Sequence, residues 1–354
     1  MISFYIFSPA NFQDMFPLIF HYLEKKEKCW LCFFDCVFKK RQLRDYSFEE
    51  IFLFFKKKCK ELNLVLPKIS FYRKDDQLKY LKDYNDLKPK IVYIQETSPK
   101  YPHWFPSIAK ESKVICFTWW YESKNIFNSK IKVDLAILKR DNYKKYFKGI
   151  NSKYFGNIFL DHLNYHKNNT NNKLEKSCFI PESYLRMNSK NIKDSMLIAK
   201  QCDKIIYLLK KNNFKIIWKK REKGYPKENE YASPLEFCNN KPDIIYEKDL
   251  NFPSCMYSES YDANICLIIN DCFAFFDLIE INKNTFILLT EGARSRLHVI
   301  DKFFKEKYSA NIIDLKTKSG WEKFNKIIKS DLKNEIKNLN SNISCKIADY
   351  CSKL

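Results

Sequence analysis

The residues best placed to do chemistry sit where apolar runs end. Residues 265–269, Ile-Cys-Leu-Ile-Ile, stop at Asn270 and Asp271, and either side chain can cap a helix expected to follow. From Asn270 through Cys272 and Phe273 to Ala274, such a loop and helix start offers free backbone N–H groups and the positive end of a helix dipole. Together these hold a phosphate or a pyrophosphate. An ordinary capped helix with no ligand fits the same pattern. Two basic loops follow other strands: Lys219-Lys220-Arg221-Glu222 directly after residues 215–218, and Arg294 and Arg296 after residues 285–289. Each such cation is a solvated loop residue by default, and it is their clustering at strand ends that points to an anion.

Strands and helices must hold these groups in place. In residues 264–290, the run 265–269 has the length and character of a strand buried on both faces. Phe273, Phe276, Asp277 and Glu280 recur at helical spacing, residues 282–284 make a turn, and residues 285–289 read as a second buried strand. Strand, capped helix and strand in so short a span make a parallel βαβ unit. The chain opens in the same way. Residues 2–7 are an apolar strand and residues 8–11 a loop. Phe12, Phe16, Ile19, Phe20 and Leu23 mark one helix face, and residues 29–36 are a second strand. A doubly wound α/β domain begins like this.

Further strands are expected at 68–71, 91–94, 114–117 and 133–138, with helices at 46–62, 77–84 and 104–112. The loop carrying Glu96 leaves the strand at 91–94 at the sheet's carboxyl edge, where open α/β folds place ligands. Thr118-Trp119-Trp120-Tyr121-Glu122 ends another strand, and its aromatics read as a stacking wall for a sugar or base, or as packing. A polar, asparagine-rich stretch has the composition of a linker. The expected division is 1–166, a linker at 167–176, a second domain at 177–320 and amphipathic helices at 321–354. The second domain starts over with strands at 177–180, 215–218, 244–246, 265–269, 285–289 and 308–315. Its long helix, 192–212, carries apolar Met196, Ile205, Ile206 and Leu209, and residues 224–241 read as a polar loop. The terminal helices, with Phe324, Ile327 and Ile328 on one face, are expected to cross back and brace the first domain; a membrane-surface role is the other reading.

At 354 residues the chain is long enough for two domains, and 45% hydrophobic and 16% aromatic residues exclude a disordered polymer. The net charge of +21 invites a nucleic-acid reading. Lysine is spread along the whole chain, however, with only 5 glycines beside 30 phenylalanines and 22 tyrosines, which resembles the bias of an AT-rich genome. The alternative to a solvated basic surface is attraction to anionic lipid head groups or acidic glycans. No apolar run approaches the ~20 residues of a membrane span. The first residues lack a basic segment and a cleavage site, so they read as a strand. Thirteen cysteines, mostly inside apolar segments, read as reduced core residues of a cytosolic protein. Cys29, Cys32 and Cys36 have no second pair or histidine partner at zinc-site spacing, so no metal is expected.

Three stretches carry a family resemblance. ISFYIFSPANFQDMFPLIFHYLEKK resembles the first strand, loop and helix of GT-B glycosyltransferases. FKIIWKKRE looks like the strand that ends in a Lys-Pro-His-Pro type motif in CDP-glycerol glycerophosphotransferases and their relatives. NICLIINDCFAFFDLIEINKNTFILL is similar to their Ser-Asp-Tyr-Ser-Ser segment with its helix, and UDP-sugar 2-epimerases share the layout. The resemblance covers nearly the whole chain and has clear departures. Arg221 lies near the family's His, Cys272 and Phe273 replace the paired serines, and Trp120 stands where a Trp-His-Gly motif has its His; indole cannot take a proton.

The resemblance implies an α/β fold of two Rossmann-like domains with mainly parallel sheets facing a central cleft. It implies transfer of a glycosyl or polyol-phosphate group from a nucleotide-activated donor to a glycan or lipid-linked acceptor in bacterial surface polysaccharide synthesis, without metal or cofactor. Lys219, Arg221, Asn270, Asp271, Cys272, Phe273, Glu280, Arg294 and Arg296 then fall to the donor, and Asn11, Trp119 and Trp120 to the acceptor. The base candidates are Glu96, favoured for its strand, with Asp14, Glu122 and His103. The alternatives are a sugar-nucleotide epimerase, poorly served by 5 histidines, and a non-enzymatic polyanion binder, which dispersed lysines count against. The expected location is cytoplasmic, with peripheral contact at the inner face of the membrane.

Overall fold

The computed structural model describes residues 1–6, 9–34, 48–73, 75–95, 111–118, 132–139, 141, 144, 147, 149–165, 176–182, 192–220, 233–246, 255–270, 273–291, 306–332 and 342–354. The chain forms two compact units, Met1–His162 together with Asn340–Leu354, and Leu163–Leu339.

The first unit is built on strands β1 (Ile2–Ile6), β2 (Cys29–Phe34), β3 (Lys68–Tyr72), β4 (Ile91–Gln95), β5 (Lys113–Thr118), β6 (Leu135–Leu138) and β7 (Ser152–Lys153). They form one parallel sheet in the order β3-β2-β1-β4-β5-β6-β7. Helices α1 (Pro9–Glu24), α2 (Phe48–Glu61) and α3 (Gln77–Leu87) make the crossovers. Strand alternation divides the apolar residues between two faces. Phe12 and Phe16 of α1 pack on Phe33 and Phe55, while Tyr80 and Tyr84 of α3 pack with Tyr5, Trp30 and Tyr72 on the other side. Cys29 and Cys32, three apart on β2, therefore point to opposite faces and cannot share a metal ion. Burial pushes the Cys29 thiol up to about 12 and raises the Cys32 thiol well above its ordinary value.

The second unit repeats the plan with β8 (Ser177–Pro181), β9 (Lys215–Lys219), β10 (Ile244–Tyr246), β11 (Ile265–Ile269), β12 (Thr285–Leu289) and β13 (Ile312–Asp314). Their order, β10-β9-β8-β11-β12-β13, is all parallel and is that of a dinucleotide-binding fold. Helices α4 (Ile192–Lys211) and α7 (Lys318–Lys329) cover one face, burying Ile198, Cys202, Ile205, Ile206, Leu209, Phe324 and Ile328. The short helices α5 (Cys255–Asp262) and α6 (Phe273–Leu278) complete the βαβ turns, and α8 (Ile343–Cys351) belongs to the first unit.

Several local expectations change. The loop expected at 8–11 gives way to a helix from Pro9, because proline's fixed φ and missing N–H suit a first helical position. Met196 is 49% exposed and does not join the core face of α4. The loop expected at 224–241 contains a 3₁₀ turn, Pro234–Phe237, held by a capping box between Ser233 and Glu236. The last strand shrinks to Ile312–Asp314 behind a 3₁₀ turn, and α5, β7 and the 3₁₀ helix Ile158–Tyr165 were not anticipated. Of the two terminal helices, α7 packs on the second sheet, and α8 packs beside α1 in the first unit. Among the described residues no helix is long and apolar enough to cross a membrane.

Candidate functional site

In each sheet the chain winds outward one way from the first strand and then returns to wind the other way. In the second unit this switch falls between β8 and β11. Their ladder runs through Ile265 with Cys178 and Cys266 with Phe179 and stops there, short of both carboxyl ends. In the first unit β1 and β4 pair from Ile2 with Ile91 to Phe4 with Tyr93, and beyond that the two strands pair only with their outer neighbours, β2 and β5. Each sheet thus parts at its switch point toward its carboxyl edge, the place where open α/β sheets take ligands.

At that edge of the second sheet stands Glu182, a residue the sequence reading missed. It follows Pro181 at the end of β8 and is only 8% exposed. Its backbone N–H donates to the Lys219 carbonyl at 2.8 Å. Its Oε2 accepts from Trp218 Nε1 at 2.9 Å and from the Ser233 hydroxyl at 2.8 Å. A buried carboxylate needs such donors to offset its lost hydration. Beside it β9 ends in Lys219, followed by Lys220, both half-buried, with Lys220 N–H bonded to the Tyr246 carbonyl at 2.8 Å. Alternation along β9 sends Trp218 to the α4 side and Lys219 to the other. The signal that could have found Glu182 is a carboxylate directly after a buried strand, joined to the Ser-x-x-Glu box of Ser233.

The Asn270 side chain ties two strand ends together. Nδ2 donates to Thr290 Oγ1 at 2.5 Å, and Oδ1 accepts from Thr290 N–H at 2.8 Å. Its φ of 56° is left-handed, a conformation asparagine tolerates better than most residues. Phe273 opens α6, which is only six residues long, so few peptide dipoles align behind it. Glu280 lies half-buried in the turn after α6. Asp271, Cys272, Arg221, Arg294 and Arg296 lie outside the described residues.

In the first unit Asn11 falls in the first turn of α1, and Asp14 is half-buried in the second. His162 is hydrogen-bonded to the Asp14 backbone, and burial lowers its pKa to about 3, so it is neutral at pH 7. A small pocket opens at the carboxyl ends of β5 and β6 between Thr118, Lys139 and Asn157. Glu96, His103, Trp119, Trp120 and Glu122 lie outside the described residues. Among the described residues no three metal-binding side chains are grouped.

No protein-family model matches the chain, and no curated protein matches it in sequence. Solved structures do match. UDP-N-acetylglucosamine 2-epimerase from Rickettsia bellii superposes with a TM-score of 0.56 at 14% identity, covering 100% of this chain and 96% of its own. A glycosyltransferase from Rickettsia africae has a TM-score of 0.52 at 8% identity, covering 99% and 98%. The fold is GT-B. Arabidopsis thaliana UGT89C1 complexed with UDP-L-rhamnose is similar at a TM-score of 0.50 and 10% identity, covering 99% and 94%. At these identities the common property is the GT-B fold itself, shared along the full length of each chain.

Proposed function

We propose that this chain is a GT-B glycosyltransferase that moves a glycosyl or polyol-phosphate group from a nucleotide-activated donor to a glycan or lipid-linked acceptor. The observation that carries the reading is the parted switch point of the second sheet between β8 and β11, with Glu182 at the end of β8 and Lys219 and Lys220 at the end of β9 on its other side. The likeness to a protein named for UDP-N-acetylglucosamine and to one complexed with UDP-L-rhamnose supports a nucleotide-sugar donor. As the donor bond breaks, negative charge grows on the pyrophosphate. Lys219, Arg221, Arg294 and Arg296, with backbone N–H groups near Cys272 and Phe273, answer that charge without a metal. Glu280 and Asp271 complete the donor group. Asn11, Trp119 and Trp120 hold the acceptor, and Glu96 takes the acceptor proton, with Asp14 and Glu122 as the other candidates. The setting is bacterial surface polysaccharide synthesis at the cytoplasmic face of the membrane, with no cofactor.

The test is nucleotide release from a panel of nucleotide sugars and CDP-glycerol, with glycan and lipid-linked acceptors. Glu96→Gln should abolish turnover and leave nucleotide binding intact; retained turnover removes Glu96 from the mechanism. A second reading, epimerisation, is favoured by the likeness to the 2-epimerase. Under that reading the sugar nucleotide recovered without acceptor would be inverted at one carbon, which NMR would detect.

A further inference from the structure

From the surface of α4 we infer that the second unit docks on an anionic lipid bilayer. One face of this helix is core. The opposite face carries Met196, Leu197, Lys200, Lys204, Tyr207 and Lys211, all exposed to solvent. Leu197 is 39% exposed and Tyr207 51%. None of Lys200, Lys204 and Lys211 has a carboxylate partner among the described residues, and Lys204 lies 3.9 Å over the Trp321 ring of neighbouring α7. Cys238 Sγ, 3.4 Å from the Ala199 carbonyl, fixes the turn of Phe237 beside the first turns of α4, and Phe237 is 52% exposed. Aliphatic and aromatic side chains interleaved with unpaired lysines are what a helix needs to lie in a lipid interface, apolar tips among the acyl chains and ammonium groups among the phosphates.

Charge decides between this surface and a comparable one. On α2, Leu53 is 64% exposed and Val65 beyond it 84%, but Lys57 and Lys58 are both paired with Glu61, and exposed Lys56 and Lys60 are set against Glu49 and Glu50 on the same helix. That surface is apolar and nearly neutral; the α4 surface is apolar and basic, which selects an anionic bilayer. The placement also matters. Because α4 follows β8, its first turns lie at the carboxyl edge of the second sheet, and Gln201 Oε1 accepts from Glu291 N–H at 2.9 Å in the segment leaving β12. Docking through Met196, Leu197 and Phe237 brings this edge to the lipid.

The inference goes beyond the proposed activity and is read without turnover, by flotation of the full chain with vesicles and no nucleotide. Binding is expected to vesicles of phosphatidylcholine with phosphatidylglycerol and to be much weaker to phosphatidylcholine alone. Leu197→Glu and Phe237→Glu should each weaken it about tenfold by removing buried apolar area. Lys200→Ala and Lys204→Ala should each weaken it about fivefold. Leu53→Glu should leave it unchanged, and melting curves of the variants should match the parent except for a small loss in Lys204→Ala, which gives up the contact with Trp321. Absent or equal binding to the two vesicles, or an equal loss in Leu53→Glu, would overturn it. So would displacement by duplex DNA with the apolar variants unaffected, which would mark a general polyanion surface.

Discussion

Trp218 donates its indole N–H to Glu182 Oε2 at 2.9 Å, and the pair closes the end of β9 against the end of β8. With Ser233 on the same oxygen, the carboxylate is the hub of a buried polar cluster at the edge where the donor is proposed to bind. Glu182→Ala strands one indole N–H and one hydroxyl, at ~1–3 kcal/mol for each unsatisfied group. Glu182→Gln keeps an acceptor in place and should cost about 1 kcal/mol or less. Denaturant midpoints of the two variants should differ clearly; equal midpoints would mean the cluster contributes nothing.

Asn270 offers a separation of strain from hydrogen bonding. Asn270→Gly relieves the left-handed φ and loses both bonds to Thr290; Asn270→Ala loses the bonds and keeps the strain. Alanine should be the less stable variant by roughly 1 kcal/mol, and both should melt below the parent. Glycine melting as low as alanine would show that backbone conformation is not limiting here.

Asp161 holds the C-terminal helix from a distance of 182 residues in sequence. Its Oδ1 accepts from Ile343 N–H at 3.2 Å and its Oδ2 from Ser344 N–H at 2.5 Å, so it caps α8 and places negative charge at the positive end of the helix. Asp161→Ala should cost ~1–2 kcal/mol. Hydrogen exchange should rise selectively in 343–351, with β1 to β6 unaffected. Uniform acceleration across the unit would assign Asp161 to general folding instead.

The large pattern was readable because buried parallel strands are written as short apolar runs. Ile265–Ile269 and Thr285–Leu289 were expected at those positions, and the two sheets follow the doubly wound order such runs imply. Elements without apolar periodicity were not readable. Helix α5, Cys-Met-Tyr-Ser-Glu-Ser-Tyr-Asp, has little contrast between its faces. The tie from Asn270 to Thr290 was not readable because a side chain after a strand can cap the next helix or reach sideways to the next strand, and only tertiary pairing decides. Glu182 was missed because its meaning comes from Trp218 and Ser233, 36 and 51 residues away in sequence.

His162 predicts acid sensitivity in the first unit. Its pKa is lowered by burial to about 3, from 6.5 in an unfolded chain. The unfolded state therefore binds more protons between those values. Its contribution to stability is complete above about pH 6.5 and is lost as the pH falls toward 3. His162→Gln should flatten the dependence of stability on pH over that interval. An unchanged slope would mean other groups carry the acid response.

The most direct test of the donor site is a thermal-shift series with CMP, CDP, UDP, GDP and ADP on the parent chain and on Lys219→Ala, with heparin as a polyanion control. Nucleotide at ~100 times its dissociation constant adds about 2.7 kcal/mol of stability. One nucleotide raising the melting temperature of the parent, with the shift lost in Lys219→Ala, is the predicted result and names the donor class. A strong heparin shift with no response to any nucleotide would contradict the donor site and leave a basic binding protein on a GT-B scaffold.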